Sequence, residues 1–212
     1  MSLPSIEPYP MPGEGDLPDN RMSWSVDPDR CVLLIHDMQR YFLDAFSPDE
    51  EPVPSLLANV GALRSACAEL GVPRVYTAQP GSQDPDDRGL LTDLWGEGLR
   101  DDPAHTAIVE GLEPADDEIV MTKWRYSAFA RSGLEEYLRD AGRDQLVVCG
   151  VYAHIGVLTT ACDAFMRDVQ AFVVADAVAD FSAGDHAMAL SYAARRCAGT
   201  LSTKGVLAAL NG

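Results

Sequence analysis

Two side chains that could exchange a proton each come directly after a short, mostly apolar run. Asp37 follows residues 31–36, and Lys123 follows residues 118–122. A carboxyl group partly buried beside apolar residues has a raised pKa and can donate a proton near neutral pH, while an ammonium can pair with a carboxylate or hold a substrate anion. Each residue also has a plainer interpretation, because Asp37 could cap a helix and Lys123 could be a surface lysine.

A third stretch ends one predicted strand and starts a predicted helix. Residues 145–151 are mostly apolar, Tyr152, Ala153 and His154 follow, and a helical pattern begins near Gly156. Main-chain N–H groups at the start of a helix point beyond it and bind anions without adding net charge. We therefore expect this stretch to supply main-chain donors to a ligand.

The elements that must position these groups alternate along the chain. Strands are predicted at 31–36, 73–78, 118–122, 145–151, 171–175 and 200–202, and helices at 55–70, 132–141, 155–169, 184–196 and 204–210. This alternation predicts a six-stranded, mainly parallel sheet with helices on both faces. Ligands of such sheets bind beyond the carboxyl ends of the strands, where Asp37, Gln79 and Lys123 should meet. The long polar connection at 81–118 is the other candidate for a functional segment.

Composition narrows the function classes. The 212 residues suffice for one domain, and 16 basic against 33 acidic residues give a formal charge of −17, which disfavours binding to nucleic acid or to anionic lipid. No apolar run approaches the roughly 20 residues of a membrane helix, so we expect a cytoplasmic protein. Residues 1–30 are rich in proline and are predicted to form an extended arm on a single domain at 31–212.

The five cysteines suggest neither a disulfide framework nor a zinc site. They are widely spaced, at positions 31, 67, 149, 162 and 197, and form no Cys-x-x-Cys pair. Most lie among apolar neighbours, so we expect small buried side chains. His36 and His154 flank the expected site, but no further carboxylate–histidine cluster accompanies them, so we expect structural hydrogen bonds rather than a metal.

Several motifs occur together in this chain. They are LLIHDMQRYF at 33–42, YTAQPG at 76–81, KWRYSAF at 123–129, GVYAHIG at 150–156, DAF at 163–165 and VADAVADFS at 174–182. Together they resemble the isochorismatases of the cysteine-hydrolase-like superfamily, over nearly the whole chain. The resemblance is strongest to the stand-alone isochorismatases of phenazine-type pathways, which act on 2-amino-2-deoxyisochorismate.

The resemblance implies a three-layer α/β/α Rossmann-like domain that works without cofactor or metal on a small chorismate-derived substrate, as a homodimer. It implies catalytic Asp37, Lys123 and Gly156 and polar substrate-binding Gln79, Arg88 and Tyr152. Phe42, Trp95 and Tyr126 are candidates for the apolar walls of the site, with the alternative that each belongs to the core. Arg88 has the alternative of a solvated ion pair with its acidic neighbours. A non-proline cis peptide is expected at Val151–Tyr152.

The implied reaction is hydrolysis of an enolpyruvyl vinyl ether, which starts with protonation of the terminal carbon and needs no nucleophile. We assign the proton to Asp37. An ammonium within about 4–6 Å would lower the pKa of Asp37, so we expect the carboxylate to gain its proton when substrate carboxylates arrive, with Lys123 holding a substrate oxygen.

Other functions stay open. Amidohydrolases of the superfamily place a nucleophilic cysteine where this chain has Gly156, and neither Cys149, inside a predicted strand, nor Cys162, six residues further on, is expected to replace it. The alternatives are a cysteine-type amidohydrolase or a non-catalytic protein that docks a carrier domain, although we expect no carrier domain in this chain, since it stops at Gly212. The choice between isochorismate and its 2-amino analogue also stays open.

Overall fold

A computed structural model describes residues 3–212 of the chain. Its strands are β1 (Cys31–His36), β2 (Arg74–Ala78), β3 (Ile119–Thr122), β4 (Gln145–Val151), β5 (Gln170–Ala179) and β6 (Ala198–Leu201). Its α-helices are α1 (Arg40–Leu43), α2 (Val53–Glu69), α3 (Pro85–Arg88), α4 (Leu91–Trp95), α5 (Pro103–Thr106), α6 (Leu134–Asp140), α7 (Leu158–Phe165), α8 (Ala183–Arg196) and α9 (Thr203–Leu210). A short 3-10 helix covers Glu14–Asp16, and a π-helical turn covers Ala153–Val157.

The six strands form one sheet in the order β3-β2-β1-β4-β5-β6, and every neighbouring pair is parallel. This order reverses direction between β1 and β4, which in open α/β sheets is the point where ligands bind. The predicted six-stranded, Rossmann-like α/β/α fold is confirmed.

The helices bury the two faces of the sheet separately. Along β1, Leu33 and Ile35 pack into a core with α2 and α9, whereas Val32 and Leu34 pack into a second core with α6, α7 and α8. The alternation follows from the pleat, which turns successive side chains to opposite faces. Because helices cover both faces of the sheet, every side chain of β1 and β4 is buried. This packing holds the carboxyl ends of the two strands in place.

The proline-rich segment before β1 lies along the first of these cores. Ile6, Tyr9 and Val26 are buried there, and the main-chain N–H groups of Ile6 and Tyr9 donate to the carbonyls of Ala45 and Glu51. Tyr9 also accepts a hydrogen bond from the amide of Asp180 through its hydroxyl oxygen. The segment is therefore packed into the fold through both its backbone and its side chains.

Most predicted element boundaries lie within two residues of the observed ones, and three larger differences stand out. The predicted strand at 171–175 continues to Ala179, since Asp176 stays in the strand by accepting hydrogen bonds from the amide and hydroxyl of Thr203. The predicted helix at 155–169 is a π-helical turn followed by α7, which ends at Phe165. The connection at 81–118 is not bare loop but carries α3, α4 and α5.

Among the described residues, no helix is both long enough and apolar enough to cross a membrane.

Candidate active site

The floor of the site is a buried pair of opposite charges. Lys123 Nζ donates to Asp37 Oδ2 over 2.7 Å, and the two side chains are 3% and 5% exposed. Asp37 follows β1 and Lys123 follows β3, the two strands that flank β2, so the sheet itself brings them together. Thr77, on β2, donates from Oγ1 to Asp37 Oδ1 over 2.7 Å, and Gln79 Nε2 lies 3.5 Å from Oδ2.

The Asp37 carboxyl group is held in its charged form by these neighbours. Burial by itself raises the pKa, but the charges of Lys123 and of a protonated His36, together with the hydrogen bonds from Lys123 and Thr77, outweigh it, and the pKa of Asp37 lies below its ordinary value. The raised pKa that we expected from burial is therefore wrong for this structure, whereas the lowering expected from Lys123 is present. A carboxyl group that is to donate a proton here must first receive one.

The other side of the floor comes from the end of β4. The Val151–Tyr152 peptide is cis, as expected from the sequence resemblance, and leads directly into the π-helical turn that contains Gly156. The α-carbon of Gly156 lies against the imidazole of His36, and a Cβ added there would be only 2.1 Å from His36 Cε1. A side chain at position 156, nucleophilic or not, has no room while His36 keeps this position.

A pocket of 540 Å³, its open mouth included, lies over this floor. It is lined by all nine residues that the sequence singled out, namely Asp37, Phe42, Gln79, Arg88, Trp95, Lys123, Tyr126, Tyr152 and Gly156. The structure therefore brings the predicted residues together, although their roles remain predictions. The segment at 81–118 contributes the wall from Arg88 to Leu99, so α3, α4 and the residues that follow α4 cover the site.

Arg88 is the cationic group of this wall. It is 4% exposed, donates from Nε to the Gly96 carbonyl, and its Nη1 has no hydrogen-bond partner within residues 3–212. The alternative of a solvated ion pair is therefore wrong, because the guanidinium is buried. Buried N–H groups are nearly always paired, so an unpaired guanidinium N–H in a pocket favours an anionic ligand.

The aromatic side chains of the pocket walls hydrogen-bond and pack among themselves. Trp95 Nε1 donates to the Tyr126 hydroxyl over 2.7 Å, and the Tyr152 hydroxyl donates to the Phe42 carbonyl over 2.7 Å. The hydroxyl proton of Tyr152 is thus already engaged, which leaves its ring and its oxygen lone pairs for a ligand. Phe181 packs on Tyr152 with ring centroids 4.4 Å apart.

Sequence reasoning missed Thr77 and Phe181. Thr77 is the polar residue that β2 places beside His36 in the sheet register, and it fixes the orientation of the Asp37 carboxylate. Phe181 comes just after β5 and lines the pocket. The available signal was position, since both residues lie at the carboxyl ends of strands, but neither residue type draws attention by its chemistry.

The remaining histidine and cysteine candidates lie outside the pocket or are engaged. His154 Nδ1 lies 2.6 Å from Asp180 Oδ1, and His36 Nδ1 lies 2.8 Å from the Val151 carbonyl, so both make the structural hydrogen bonds expected. Cys149 donates to the Leu34 carbonyl, and Cys162 contacts Cys197. In the part of the chain that the structure describes, no cysteine lines the pocket, and no cluster of three or more His, Cys, Asp or Glu could hold a metal ion.

Comparison with known proteins identifies the family. The isochorismatase domain model matches residues 31–205. The isochorismatase of Bacillus subtilis is 58% identical over 207 residues, which cover 98% of this chain and 66% of that protein. Phenazine biosynthesis protein PhzD1 of Pseudomonas aeruginosa is 52% identical over 210 residues, which cover 97% of this chain and 98% of that protein.

A solved structure shares the fold. A cysteine hydrolase from Pseudomonas syringae superposes with a TM-score of 0.81 at 24% identity, covering 92% of this chain and 97% of that one. At that identity the likeness concerns the architecture alone. With the family model matching most of the chain, and relatives more than half identical along nearly all of it, the chain belongs to the isochorismatase family.

Proposed function

We propose that the protein is a hydrolase that cleaves the enolpyruvyl ether of isochorismate, of 2-amino-2-deoxyisochorismate, or of both, in aromatic secondary metabolism such as phenazine biosynthesis. Isochorismate would give pyruvate and a dihydroxy-dihydrobenzoate, and the 2-amino analogue would give pyruvate and a trans-dihydro-hydroxyanthranilate. The observation that carries this proposal is the buried Asp37–Lys123 pair at the floor of an aromatic pocket in which position 156 has no side chain.

The reaction needs one proton donor and one water molecule. Protonated Asp37 gives its proton to the terminal CH2 carbon of the vinyl ether, which leaves an oxocarbenium ion at the neighbouring carbon. Water adds to that carbon and loses a proton, which restores the Asp37 carboxyl group. The resulting hemiketal then breaks down. The bond between the hemiketal carbon and the ether oxygen attached to the ring breaks, this oxygen takes the hydroxyl proton, and pyruvate leaves as the ketone.

The protonation of Asp37 follows from the substrate's charge. The Lys123 ammonium keeps the Asp37 carboxylate ionised. A substrate carboxylate that arrives beside Lys123 offsets the positive charge of the ammonium, which raises the pKa of Asp37. Arg88, with an unpaired Nη1, holds a carboxylate of the substrate. Gln79, Tyr152 and the main-chain N–H of Gly156 complete the polar contacts, and the rings of Phe42, Trp95 and Tyr126 enclose the apolar part.

A cysteine-type amidohydrolase is disfavoured by the same geometry. Such an enzyme needs a thiol beside the aspartate and lysine, and within the described residues no sulfur of a cysteine lines the pocket. Burial also raises the pKa of the Cys149 thiol, so its nucleophilic thiolate form is suppressed. The homodimer and the cytoplasmic location expected from the sequence remain predictions.

The function is tested by measuring pyruvate released from each substrate, with lactate dehydrogenase and NADH as the detection system. We expect wild-type protein to release pyruvate and Asp37→Ala to lower kcat by about 10²- to 10⁴-fold, the usual contribution of a positioned acid. Asp49→Ala, at an exposed aspartate, is the matched control and should match wild type. Absence of pyruvate from both substrates would refute the function, and an unimpaired Asp37→Ala would remove Asp37 from the mechanism.

The bond that breaks is tested separately with isotopic water. Because water attacks the enolpyruvyl carbon, hydrolysis in H₂¹⁸O leaves the ring hydroxyl with its original oxygen, which mass spectrometry of the ring product reads directly. Appearance of ¹⁸O in the ring hydroxyl would place the cleavage at the ring carbon and contradict the vinyl ether mechanism.

A further inference from the structure

His36 connects the two halves of the floor. It is the last residue of β1, directly before Asp37, and its side chain is fully buried. Its Nδ1 lies 2.8 Å from the carbonyl of Val151, the last residue of β4. The imidazole therefore spans from the strand that carries the acid to the strand that leads into the turn with Gly156.

Two glycines of the β4 side fit closely around His36. A Cβ added at Gly156 would lie 2.1 Å from Cε1 and 2.8 Å from Nε2 of the imidazole. A Cβ added at Gly150, whose φ is +107°, would lie 2.1 Å from the His36 carbonyl oxygen. Real Cβ atoms essentially never approach within 3.0 Å of another heavy atom, so both the ring and the backbone of His36 require glycine opposite them.

We infer that His36 is a positioning residue whose imidazole fills the space of the missing side chain at position 156 and sets the separation between the Asp37 carboxyl group and the Gly156 main chain. The inference rests on the proposed function, in which both groups contact the same substrate. It assigns to His36 a role beyond the hydrogen bond that the sequence predicts, namely that of a fixed spacer between acid and main-chain donor.

The ring acts as a spacer through shape rather than charge. Burial lowers the pKa of His36 to about 4, so the imidazole is neutral at pH 7. The short contact to the Val151 carbonyl requires a proton on Nδ1, which leaves Nε2 as a bare lone pair beside Gly156. Replacing His36 therefore removes no net charge at pH 7. A protonated His36, whose Nδ1 lies 3.8 Å from Asp37 Oδ2, would lower the pKa of that carboxyl group, so the kinetic effect of the replacement is measured near pH 7.5, where the ring is neutral and the effect reports geometry.

The packing is tested by thermal unfolding, which does not depend on the function. Gly156→Ala should lower Tm by about 2–12 °C, as expected for an overpacked site in a chain of this size. The matched control is Gly61→Ala in α2, where the added Cβ has no neighbour closer than 4.0 Å and the exchange should raise Tm. The double variant His36→Asn with Gly156→Ala should recover at least half of the loss, since asparagine keeps a donor for Val151 but lacks Cε1 and Nε2.

The positioning role is tested by steady-state kinetics of pyruvate release. His36→Ala should lower kcat by about 10- to 100-fold, the usual cost of a displacement of about 1 Å, while KM changes little. His36→Asn should lose clearly less, because it keeps the hydrogen bond to Val151. If wild type released no pyruvate, the proposed function would fail while the unfolding measurements still decided the packing.

Three results would overturn the inference. The first is a Gly156→Ala variant as stable as wild type. The second is a loss of stability in the double variant His36→Asn with Gly156→Ala that equals the sum of the losses in the two single variants. If Gly156→Ala alone does not fold, the corresponding result is a double variant that does not fold either. The third is a His36→Ala variant with unchanged kcat, or one no worse than His36→Asn.

Discussion

Removing Lys123 should destabilise the fold strongly and in a manner that depends on pH. Lys123→Met keeps the length of the side chain but leaves the Asp37 carboxylate buried without its counterion. Breaking a buried ion pair on one side costs about 3–5 kcal/mol, and in a chain of this size each kcal/mol lowers Tm by about 2–4 °C. We therefore expect Tm near pH 7.5 to fall by about 6–20 °C.

The loss should shrink as the pH is lowered. Without Lys123, we expect burial, which is the largest influence on this carboxyl group, to outweigh the remaining influences of His36 and Thr77 and to raise the folded-state pKa of Asp37 above its unfolded value of about 3.9. The destabilisation is complete above the raised folded pKa and fades as the pH falls through that pKa toward the unfolded one, where the carboxyl is protonated in both states. In wild type the folded pKa is lowered instead, so stability is lost only at more acidic pH. The gap between the two proteins therefore narrows between pH 7.5 and pH 4.

Differential scanning fluorimetry across this pH range measures the effect, with Lys204→Met as the matched control. Lys204, the other lysine of the chain, lies 3.5 Å from Glu14 in a pair whose side chains are 82% and 62% exposed, and its loss should shift Tm by less than about 2 °C. Equal shifts for both lysine variants, or a Lys123→Met loss that stays constant from pH 7.5 down to pH 4, would refute the buried charge pair.

Two further predictions concern the pocket. Arg88→Met should raise KM for pyruvate release by about 10- to 150-fold with a smaller effect on kcat, since it removes a charge-assisted hydrogen bond to a substrate carboxylate. Arg88→Lys should restore KM only in part, because a lysine lacks the planar guanidinium group. An unchanged KM in Arg88→Met would exclude this role. Treatment of the folded protein with iodoacetamide should leave pyruvate release unchanged while mass mapping finds Cys149 unmodified; inactivation that tracks alkylation of Cys149 would restore the thiol mechanism.

The fold was largely predictable because its signals are local. β1 and β4 are short apolar runs between polar connections, and the helices that cover them show apolar residues at helical spacing. The predicted end of β5 failed where a distant polar partner compensates a carboxylate within the strand. Asp176 looks like the end of a strand in the sequence, but its carboxylate is satisfied by Thr203, more than twenty residues away, so β5 continues.

The sequence predicted which residues line the site, but not their pKa shifts or how closely they pack. Strand ends led to Asp37 and Lys123, and their proximity follows from parallel strands that finish at one edge of the sheet. The net lowering of the Asp37 pKa could not be read from the sequence, since it depends on the 2.7 Å contact that overcomes burial. The fit of His36 against Gly156 was equally hidden, because it depends on the approach of two chain segments 120 positions apart.

The pocket divides its tasks between two kinds of chain segment. Asp37, the proposed proton donor, and Lys123 lie at the ends of β1 and β3, whereas Arg88, Leu91, Trp95 and Leu99 all come from one stretch between β2 and β3 that no other strand interrupts. Such a stretch can be exchanged or lengthened without altering the register of any strand. Under the proposed mechanism, preference for one ring substituent over another can therefore change through this stretch alone, while Asp37 and Lys123 keep their places.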